Sequence, residues 1–297
     1  MSEISFIVLN YNGFAETSKL VQLMTTWDQS KLDFHIVIVD NCSSDDSFER
    51  LKSAFHQIEY IDVIQSERNG GYSYGNNYGS KYAIEKYNSE YIAISNPDVE
   101  IEQDMIIKLL ETFRENDRIA MCAPVMKNVD GSFCVCAYSI PRYEDDLRAC
   151  SLRNKSRVIH KDYQTLKENT QAIITEMVPG SFFVVRADIF SEVGLFDENI
   201  FLYCEERILG KKLKNKDYIS VIRSDLFYVH AHAVTTSRAI SEIKRWKILL
   251  NSRLYYQQTY ERVKGGRLLL LKLAMKLYLA QLWVLFTLRN KRKKNNA

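Results

Sequence analysis

Short, continuously apolar runs alternate along the first part of the chain with stretches in which apolar residues recur at helical spacing. The runs "ISFIVLN" and "FHIVIVD" are rich in β-branched residues, a pattern typical of strands covered on both faces. Further strands are predicted at 60–65 and 91–95, and helices at 15–27, 47–55 and 76–86. This βαβαβαβ order predicts an α/β fold with a parallel sheet, right-handed crossovers and a ligand site beyond the carboxyl ends of the strands.

Composition agrees with a folded chain. The 297 residues are 46% hydrophobic and 12% aromatic, with only 4 Pro and 11 Gly, so we expect one large domain with an appendage. The formal charge of +3 is the difference between 40 basic and 37 acidic residues. Such a balance gives no chain-wide electrostatic reason to bind nucleic acid, which we do not predict as a partner.

The cysteines and the N-terminus indicate a cytoplasmic body. The six cysteines show no zinc-ligand spacing, and we interpret them as reduced core residues. The start "MSEISFIVLNYNG" lacks the basic residues and small-residue cleavage site of a signal peptide and leads directly into a strand.

Two carboxylates follow predicted strands and therefore fall at the expected site. Asp98, in "SNPDVE", also fits an ordinary turn, because Asn-Pro-Asp is a common turn composition. Asp40 is followed by "NCSSDDS", whose residues suit a helix N-terminus, so Asp40 either supports that cap or accepts a hydrogen bond from the base or ribose of a nucleotide.

Residues 69–79, "NGGYSYGNNYG", contain four glycines and three asparagines just before a predicted helix. Glycines allow the backbone to approach a ligand, and a helix N-terminus presents free N–H groups to phosphate. The spacing fits neither the Walker loop nor the dinucleotide fingerprint, so a plain loop remains open as an alternative.

Several motifs together carry a resemblance to a known family. They are "VLNYNG", "VIVDNCSSDDS", "RNGGYSYGNNYG", "SNPDVE", "VPGSFFVVRADIFSEVGLFDENIFLYCEE" and "YVHAHAVTTS". In this order they resemble the family 2 glycosyltransferases of the GT-A fold, especially the bacterial rhamnosyltransferase-like branch, over roughly residues 4–260. The resemblance implies a mostly parallel central sheet flanked by helices and an inverting transfer from a nucleotide-diphosphate sugar.

The resemblance also implies a divalent cation, Mg²⁺ or Mn²⁺, against the diphosphate. Asp98 is the implied metal ligand, with Asn96 where the family often has a first Asp, which predicts weak metal binding by the protein alone. In "YVHAHAVTTS" we prefer His230 over His232 as a second ligand to metal or diphosphate, and Ser237 and Arg238 are candidates to reach phosphate. The implied donor-binding residues are Asn10, Asn12, Asp40, Asn69, Gly71, Asn76, Asn96, Asp98, Gly180 and His230.

An inverting enzyme needs a base that takes the proton of the acceptor hydroxyl. The family places it second in a pair of acids after an aromatic stretch, which in "FLYCEER" makes Glu206 the candidate and Glu205 the fallback. Alternatively, both acids only favour the N-terminus of the helix that they begin. The chain departs from the family at Ile208, where a further acid is common. We interpret Phe182, with the two residues after it, as core strand and not as a sugar platform.

After residue 240 the composition changes, so we predict a catalytic domain over 1–240 and a helical, basic region over 241–297. Residues 268–288 form an apolar run long enough to cross a bilayer, but Lys272 and Lys276 lie one helical turn apart. This favours a helix that lies in the membrane interface, and the basic residues near the C-terminus suit an anionic cytoplasmic leaflet. An arm for packing or homo-oligomerisation is the alternative.

The interpretation is a membrane-associated transferase of bacterial surface polysaccharide synthesis with a lipid-linked saccharide acceptor. L-Rhamnose from dTDP-rhamnose is the first choice of sugar, and UDP-glucose, UDP-galactose or UDP-N-acetylglucosamine is the alternative donor. A nucleotidyltransferase is a rival, against which stands the first loop, "LNYNGFAETSK", in place of a G-x-G-x-R pattern. A non-catalytic, donor-binding partner subunit is the other rival.

Overall fold

The structure is a computed structural model that describes residues 3–134, 138–151, 171–231 and 241–295, with side chains as far as 289. The strands are β1 Ile4–Asn10, β2 Phe34–Asp40, β3 Ile61–Gln65, β4 Tyr91–Ser95, β5 Val99–Glu100, β6 Ile119–Lys127, β7 Ala172–Thr175, β8 Phe182–Arg186 and β9 Ile219–His230. The helices are α1 Phe14–Met24, α2 Ser47–Phe55, α3 Tyr72–Tyr87, α4 Gln103–Thr112, α5 Tyr143–Ala149, α6 Ala187–Glu192, α7 Glu205–Lys214, α8 Glu242–Thr259 and α9 Gly265–Asn295.

A nine-stranded sheet forms the centre, in the order β3-β2-β1-β4-β8-β6-β9-β5, with β7 paired to β9. The first four strands along the chain are all parallel, as the alternating pattern predicted. Beyond β4 the sheet is mixed, because β8 runs antiparallel to both of its neighbours. The predicted α/β class is confirmed. The carboxyl ends of β1, β2 and β4 lie at one edge, where the site was expected.

Burial explains why these runs form strands. Side chains on both faces of β1, β2 and β4 are almost all buried, as expected for a sheet covered by helices. Phe182 and the two residues after it are fully buried in β8, as predicted.

The glycine-rich segment forms less loop than expected. Helix α3 begins at Tyr72, so only Gly70 and Gly71 precede it, and Gly71 has the left-handed φ of +90°. Gly79 packs α3 onto the sheet, because a Cβ there would lie 2.5 Å from Val39 Cγ2 and 2.7 Å from Ile7 Cγ2. Gly79 therefore serves close packing of the helix and not the approach of a ligand.

Helices α8 and α9 pack against the rest of the protein through an apolar cluster of their own. Leu271, Met275, Tyr278 and Leu282 are buried on one face of α9, where they pack with residues of α8 and α5. Gly265–Arg289 is long and apolar enough to span a bilayer by length and composition. The predicted division at residue 240 stays a prediction.

Candidate active site

A cleft of about 820 Å³ opens at the carboxyl ends of the central strands. Loops after β1, β2 and β4, the segment before β8, the loop before α7 and helix α8 all contribute to its walls. The lining residues are Leu9, Tyr11, Asn41, Asn69, Gly71, Tyr72, Asn96, Pro97, Asp98, Met126, Tyr138, Pro179, Gly180, Ser181, Phe201, Leu202, Tyr203, Glu205, Glu206, His230, Lys244 and Ile248. The cleft thus brings together eight residues of the predicted site.

Asp98 and His230 form a carboxylate–imidazole pair in this cleft. Their proximity follows from the sheet, because β5 begins at Val99 and pairs antiparallel with β9 in the register Val99 to His230. His230 Nε2 lies 3.1 Å from Asp98 Oδ1, and the two side chains are only 11% and 6% exposed. Carboxylate oxygen and imidazole nitrogen are both ligands of divalent cations. Within the described ranges, no group of three or more His, Cys, Asp or Glu side chains could hold a metal ion, so this pair is an incomplete set.

The two predicted acids begin α7 directly after a strained stretch of backbone. Tyr203 and Cys204 precede them with left-handed φ angles of 71° and 73°, an unusual conformation for two consecutive residues with side chains. This turn directs both Glu205 and Glu206 to the cleft. Strain of this kind is concentrated at functional sites, where the surrounding structure holds it in place.

The environments of the two acids differ. Glu205 is 4% exposed, and its Oε1 has no hydrogen-bond partner among the described residues. Burial raises the pKa of Glu205 well above its ordinary value, and the neighbouring Glu206 raises that pKa further. Burial also raises the pKa of Glu206, opposed by hydrogen bonds from backbone N–H groups, that of Gly180 among them. Both acids therefore hold a proton to higher pH than an ordinary glutamate does.

Gly180 lies directly beneath Glu206. A Cβ on Gly180 would lie 2.5 Å from Glu206 Oε1, so only glycine leaves room for the carboxylate in this position. On its other side, the Tyr72 hydroxyl donates a hydrogen bond of 2.5 Å to the Gly180 carbonyl oxygen. The tyrosine and the glutamate thus hold the segment before β8 between them.

A buried ion pair supports the helix that carries the acids. Arg207, next to Glu206, lies 2.8 Å from Asp146 of α5, and both side chains are at most 4% exposed. From α8, Gln257 donates a hydrogen bond of 2.7 Å to Asp146, and the Tyr256 ring stacks 3.8 Å from the Arg207 guanidinium. Three helices are thereby joined immediately behind the acids.

Helix α8 and Tyr260, which directly follows it, also hold the loop before the acids. Tyr255 and Tyr260 both donate hydrogen bonds to Asp197, at 2.8 and 2.7 Å, and Ser252 donates one to the Leu202 carbonyl oxygen. The sequence pattern assigned this helix to the C-terminal region, yet it helps to form the site.

Four predicted donor-binding residues do not line the cleft. Asp40 is fully buried and accepts hydrogen bonds from Asn10, Gln65 and both the N–H and hydroxyl of Ser43. It holds the loop after β2, and no side-chain cap on α2 is present. Asn10 is equally buried beside it. Asn76 is buried on α3 and donates to the Tyr72 carbonyl oxygen, because the helix begins earlier than predicted. Asn12 is exposed and holds Ser44.

Other predicted residues do shape the cleft. Asn96 donates its backbone N–H to the Ser181 carbonyl oxygen at 2.8 Å, and Asn69 accepts hydrogen bonds from Gly71 and Asn41. Sequence reasoning missed Asn41, although it follows Asp40 directly at a strand end. His232, Ser237 and Arg238 lie outside the described residues.

Comparisons with known proteins bear on the fold and the family. The model of the family described as "Glycosyl transferase family 2" matches residues 5–194. The low-salt glycan biosynthesis hexosyltransferase Agl10 of Haloferax volcanii is 26% identical over 206 residues, which are 69% of this chain and 60% of the relative. The N-acetylglucosaminyl-diphospho-decaprenol L-rhamnosyltransferase of Mycobacterium tuberculosis is 26% identical over 161 residues, 52% of each chain. The chain thus spans only between half and three-fifths of these relatives' length.

Solved structures show the same architecture. GalNAc-T7 with UDP, GalNAc and Mn²⁺ superposes with a TM-score of 0.65 at 14% identity, covering 87% of this chain and 48% of that one. The mannosyltransferase PcManGT of Pyrobaculum calidifontis, in complex with GDP-Man and Mn²⁺, gives 0.58 at 14% identity, covering 93% and 69%. The 1–349 portion of TarS from S. aureus, in complex with UDP, gives 0.54 at 16% identity, covering 87% and 66%. The chain therefore belongs to glycosyltransferase family 2 and has the GT-A fold, as its motifs predicted.

Proposed function

We propose that this protein is an inverting glycosyltransferase that moves a sugar from a nucleotide-diphosphate donor to a lipid-linked saccharide acceptor. The observation that carries the proposal is one cleft that contains both the Asp98–His230 pair and the buried carboxyl pair at the start of α7. The Asp98–His230 pair suits the diphosphate end of a donor, and the carboxyl pair suits deprotonation of an acceptor hydroxyl.

Asp98 and His230 are the residues that would hold a divalent cation, Mg²⁺ or Mn²⁺. Their oxygen and nitrogen atoms already lie 3.1 Å apart in a nearly buried position, a donor set that fits such an ion. When bound, the cation would neutralise charge on the leaving diphosphate. Because the protein supplies two ligands in the described part, we expect tight metal binding only when donor phosphate oxygens complete the coordination. The presence of Mn²⁺ with GalNAc-T7 and with PcManGT supports this expectation.

Glu206 is the proposed base. During transfer, the bond from the anomeric carbon to the diphosphate breaks, the acceptor oxygen bonds to that carbon from the opposite face, and the hydroxyl proton passes to Glu206. The raised pKa of Glu206 makes it a better proton acceptor than an ordinary glutamate once it is ionised. We assign the proton of the pair to Glu205, whose Oε1 has no hydrogen-bond partner among the described residues, and this assignment removes the repulsion that two adjacent carboxylates would have in a buried site. The non-catalytic alternative leaves this buried acid pair without a role.

The relatives guide the choice of sugar and acceptor. The mycobacterial relative is named as an L-rhamnosyltransferase acting on a diphospho-decaprenol saccharide, which supports L-rhamnose from dTDP-rhamnose and a lipid-linked acceptor here. UDP in the TarS and GalNAc-T7 complexes supports a UDP-hexose donor as the alternative. A lipid-linked acceptor is anchored in a membrane, and we therefore place the proposed reaction at the cytoplasmic membrane surface, in bacterial surface polysaccharide synthesis.

The test is nucleoside diphosphate release from a panel of dTDP-, UDP- and GDP-sugars with detergent-solubilised lipid-linked acceptors, in Mg²⁺, Mn²⁺ or chelator. We expect release from one donor, loss of release with chelator, and loss of metal stimulation in Asp98→Ala and His230→Ala. Glu111→Gln, an exposed change in α4 outside the residues that line the cleft, is the control and should react like the wild type. Equal turnover with chelator contradicts the metal assignment, and binding of a donor without transfer to any acceptor favours the non-catalytic alternative.

A further inference from the structure

Helix α9 has apolar side chains on two opposite faces. One face packs against α8 and α5 through Leu271, Met275, Tyr278 and Leu282, none more than 8% exposed. The opposite side, here called the outer face, remains exposed. Its members are Leu269, Leu270, Leu273, Leu277, Val284 and Leu288, between 48% and 69% exposed. An apolar face of a helix is normally buried against a partner.

The outer face is continuous and not a scatter of single residues. With about 100° of rotation per residue, its six members fall within an arc of about 100° on the side opposite the packed face. Single exposed apolar residues are ordinary on a protein surface, but a row that runs along five turns of one helix marks an interaction surface.

Charge along α9 is of one sign. Residues 265–295 contain no Asp or Glu and eight Lys or Arg residues. Lys272 and Lys276 lie on the flank between the two apolar faces, and Arg289 is followed in sequence by four further cations at 291–294. An apolar row flanked by cations complements a surface with an apolar interior and an anionic edge.

We propose that the outer face of α9 docks on an anionic membrane surface, with the helix lying along the interface. A membrane-spanning orientation would carry the packed face, and with it α8 and α5, into the hydrocarbon. A second copy of this chain is a poorer partner, because an interface made by two α9 helices would bring together cations with no acids to pair with them.

The docking helix is physically continuous with the wall of the cleft. Trp246 of α8 packs edge to face on Tyr278 of α9, with ring centroids 5.7 Å apart. Lys244 and Ile248, on the same helix α8, line the cleft. Membrane docking would therefore hold the cleft close to the headgroups. This deepens the proposed function and relies on it for the purpose of docking, whereas membrane binding itself can be measured without any turnover.

The test is flotation of the full-length protein with vesicles of phosphatidylcholine alone or mixed with phosphatidylglycerol. We expect binding to the anionic vesicles only, and partitioning at least about a hundredfold weaker for L270Q/L273Q/L277Q, because three leucines lose apolar burial. The control V129Q/I174Q removes two residues that are 75% and 69% exposed outside α9, and it should float like the wild type. K272E/K276E should weaken binding to the anionic vesicles.

The same variants distinguish docking through the outer face from a spanning helix and from a dimer interface. Transfer to a soluble acceptor should be unchanged in L270Q/L273Q/L277Q, so loss of flotation with retained transfer supports docking through the outer face. Equal flotation of this variant and the wild type would overturn the proposal. Resistance of the wild type to alkaline carbonate extraction would also overturn the proposal, because it indicates a spanning helix. The proposal would equally fail if the protein were a dimer in solution that the triple variant dissociates while vesicle binding persists.

Discussion

Substitution of Gly180 by alanine tests whether transfer depends on the exact position of the Glu206 carboxylate, the proposed base. The added Cβ would lie 2.5 Å from Glu206 Oε1, whereas ordinary contact begins at 3.4 Å, so the carboxylate must retreat by about 0.9 Å. Misplacement of a catalytic group by about 1 Å can cost a factor of about 100, equivalent to about 2.7 kcal/mol in the activation free energy. We therefore expect kcat of Gly180→Ala to fall about 100-fold while the protein remains folded, since the clash is with a side chain that can move.

Steady-state transfer and calorimetric binding of the nucleoside diphosphate together test this expectation. Gly266→Ala is the matched control, because a Cβ at Gly266 meets nothing within 4 Å and the residue has no left-handed φ. Its kcat should equal that of the wild type. A Gly180→Ala protein that binds nucleoside diphosphate and retains wild-type kcat would refute the placement of Glu206 as the base.

Three further predictions concern pH and stability. Because the pKa of Glu206 is raised above its ordinary 4.5 and the base must be ionised, kcat/KM should fall as pH decreases through a midpoint above 4.5, and a midpoint at or below 4.5 contradicts the assignment. Asp146→Ala leaves Arg207 buried without its carboxylate and should lower the free energy of unfolding in urea by about 3–5 kcal/mol. Glu144→Ala, which breaks an exposed pair, should cost less than about 1 kcal/mol, and equal losses would refute the role of burial. Gly71→Ala, with φ at +90° and a Cβ position 2.0 Å from the Phe201 carbonyl oxygen, should cost at least about 1–3 kcal/mol in the same assay, and an unchanged midpoint contradicts the observed turn.

The local sequence pattern was sufficient to predict most of the parallel strands of the sheet. The runs at β1, β2 and β4 are apolar on both faces, so their strands were recognisable without knowledge of their neighbours. Helix α3 was predicted to begin near Asn76 but begins at Tyr72, because glycine has low helix propensity and gave no sign of its packing role. Close contact of α3 with β1 and β2 determines where this helix forms, and such contact depends on the tertiary structure.

In the candidate site, too, some features were predictable from local sequence and others depend on the tertiary structure. The position of Asp98 at a strand end was predictable, and the antiparallel pairing of β5 with β9 that brings His230 to it was not, since it depends on sheet order. The Asp146–Arg207 pair joins residues 61 positions apart and left no local signal. Asp40 followed the rule for strand ends, yet both of its carboxylate oxygens accept hydrogen bonds from Asn10 and Gln65 of neighbouring strands and from Ser43 of the following loop. Polar residue types at a strand end therefore predict proximity to a site better than they predict contact with its ligand.

The central claim, that this cleft transfers a glycosyl group with Glu206 as base, is tested most directly by single-turnover transfer with Glu206→Gln and Glu205→Gln. A general base contributes about 10²–10⁴-fold, so Glu206→Gln should lose at least about a hundredfold in rate while it still binds the nucleoside diphosphate. Glu205→Gln, which keeps a neutral side chain of the same shape where the protonated acid lies, should retain most of the rate. The reverse order, with Glu205→Gln inactive and Glu206→Gln active, would contradict the account.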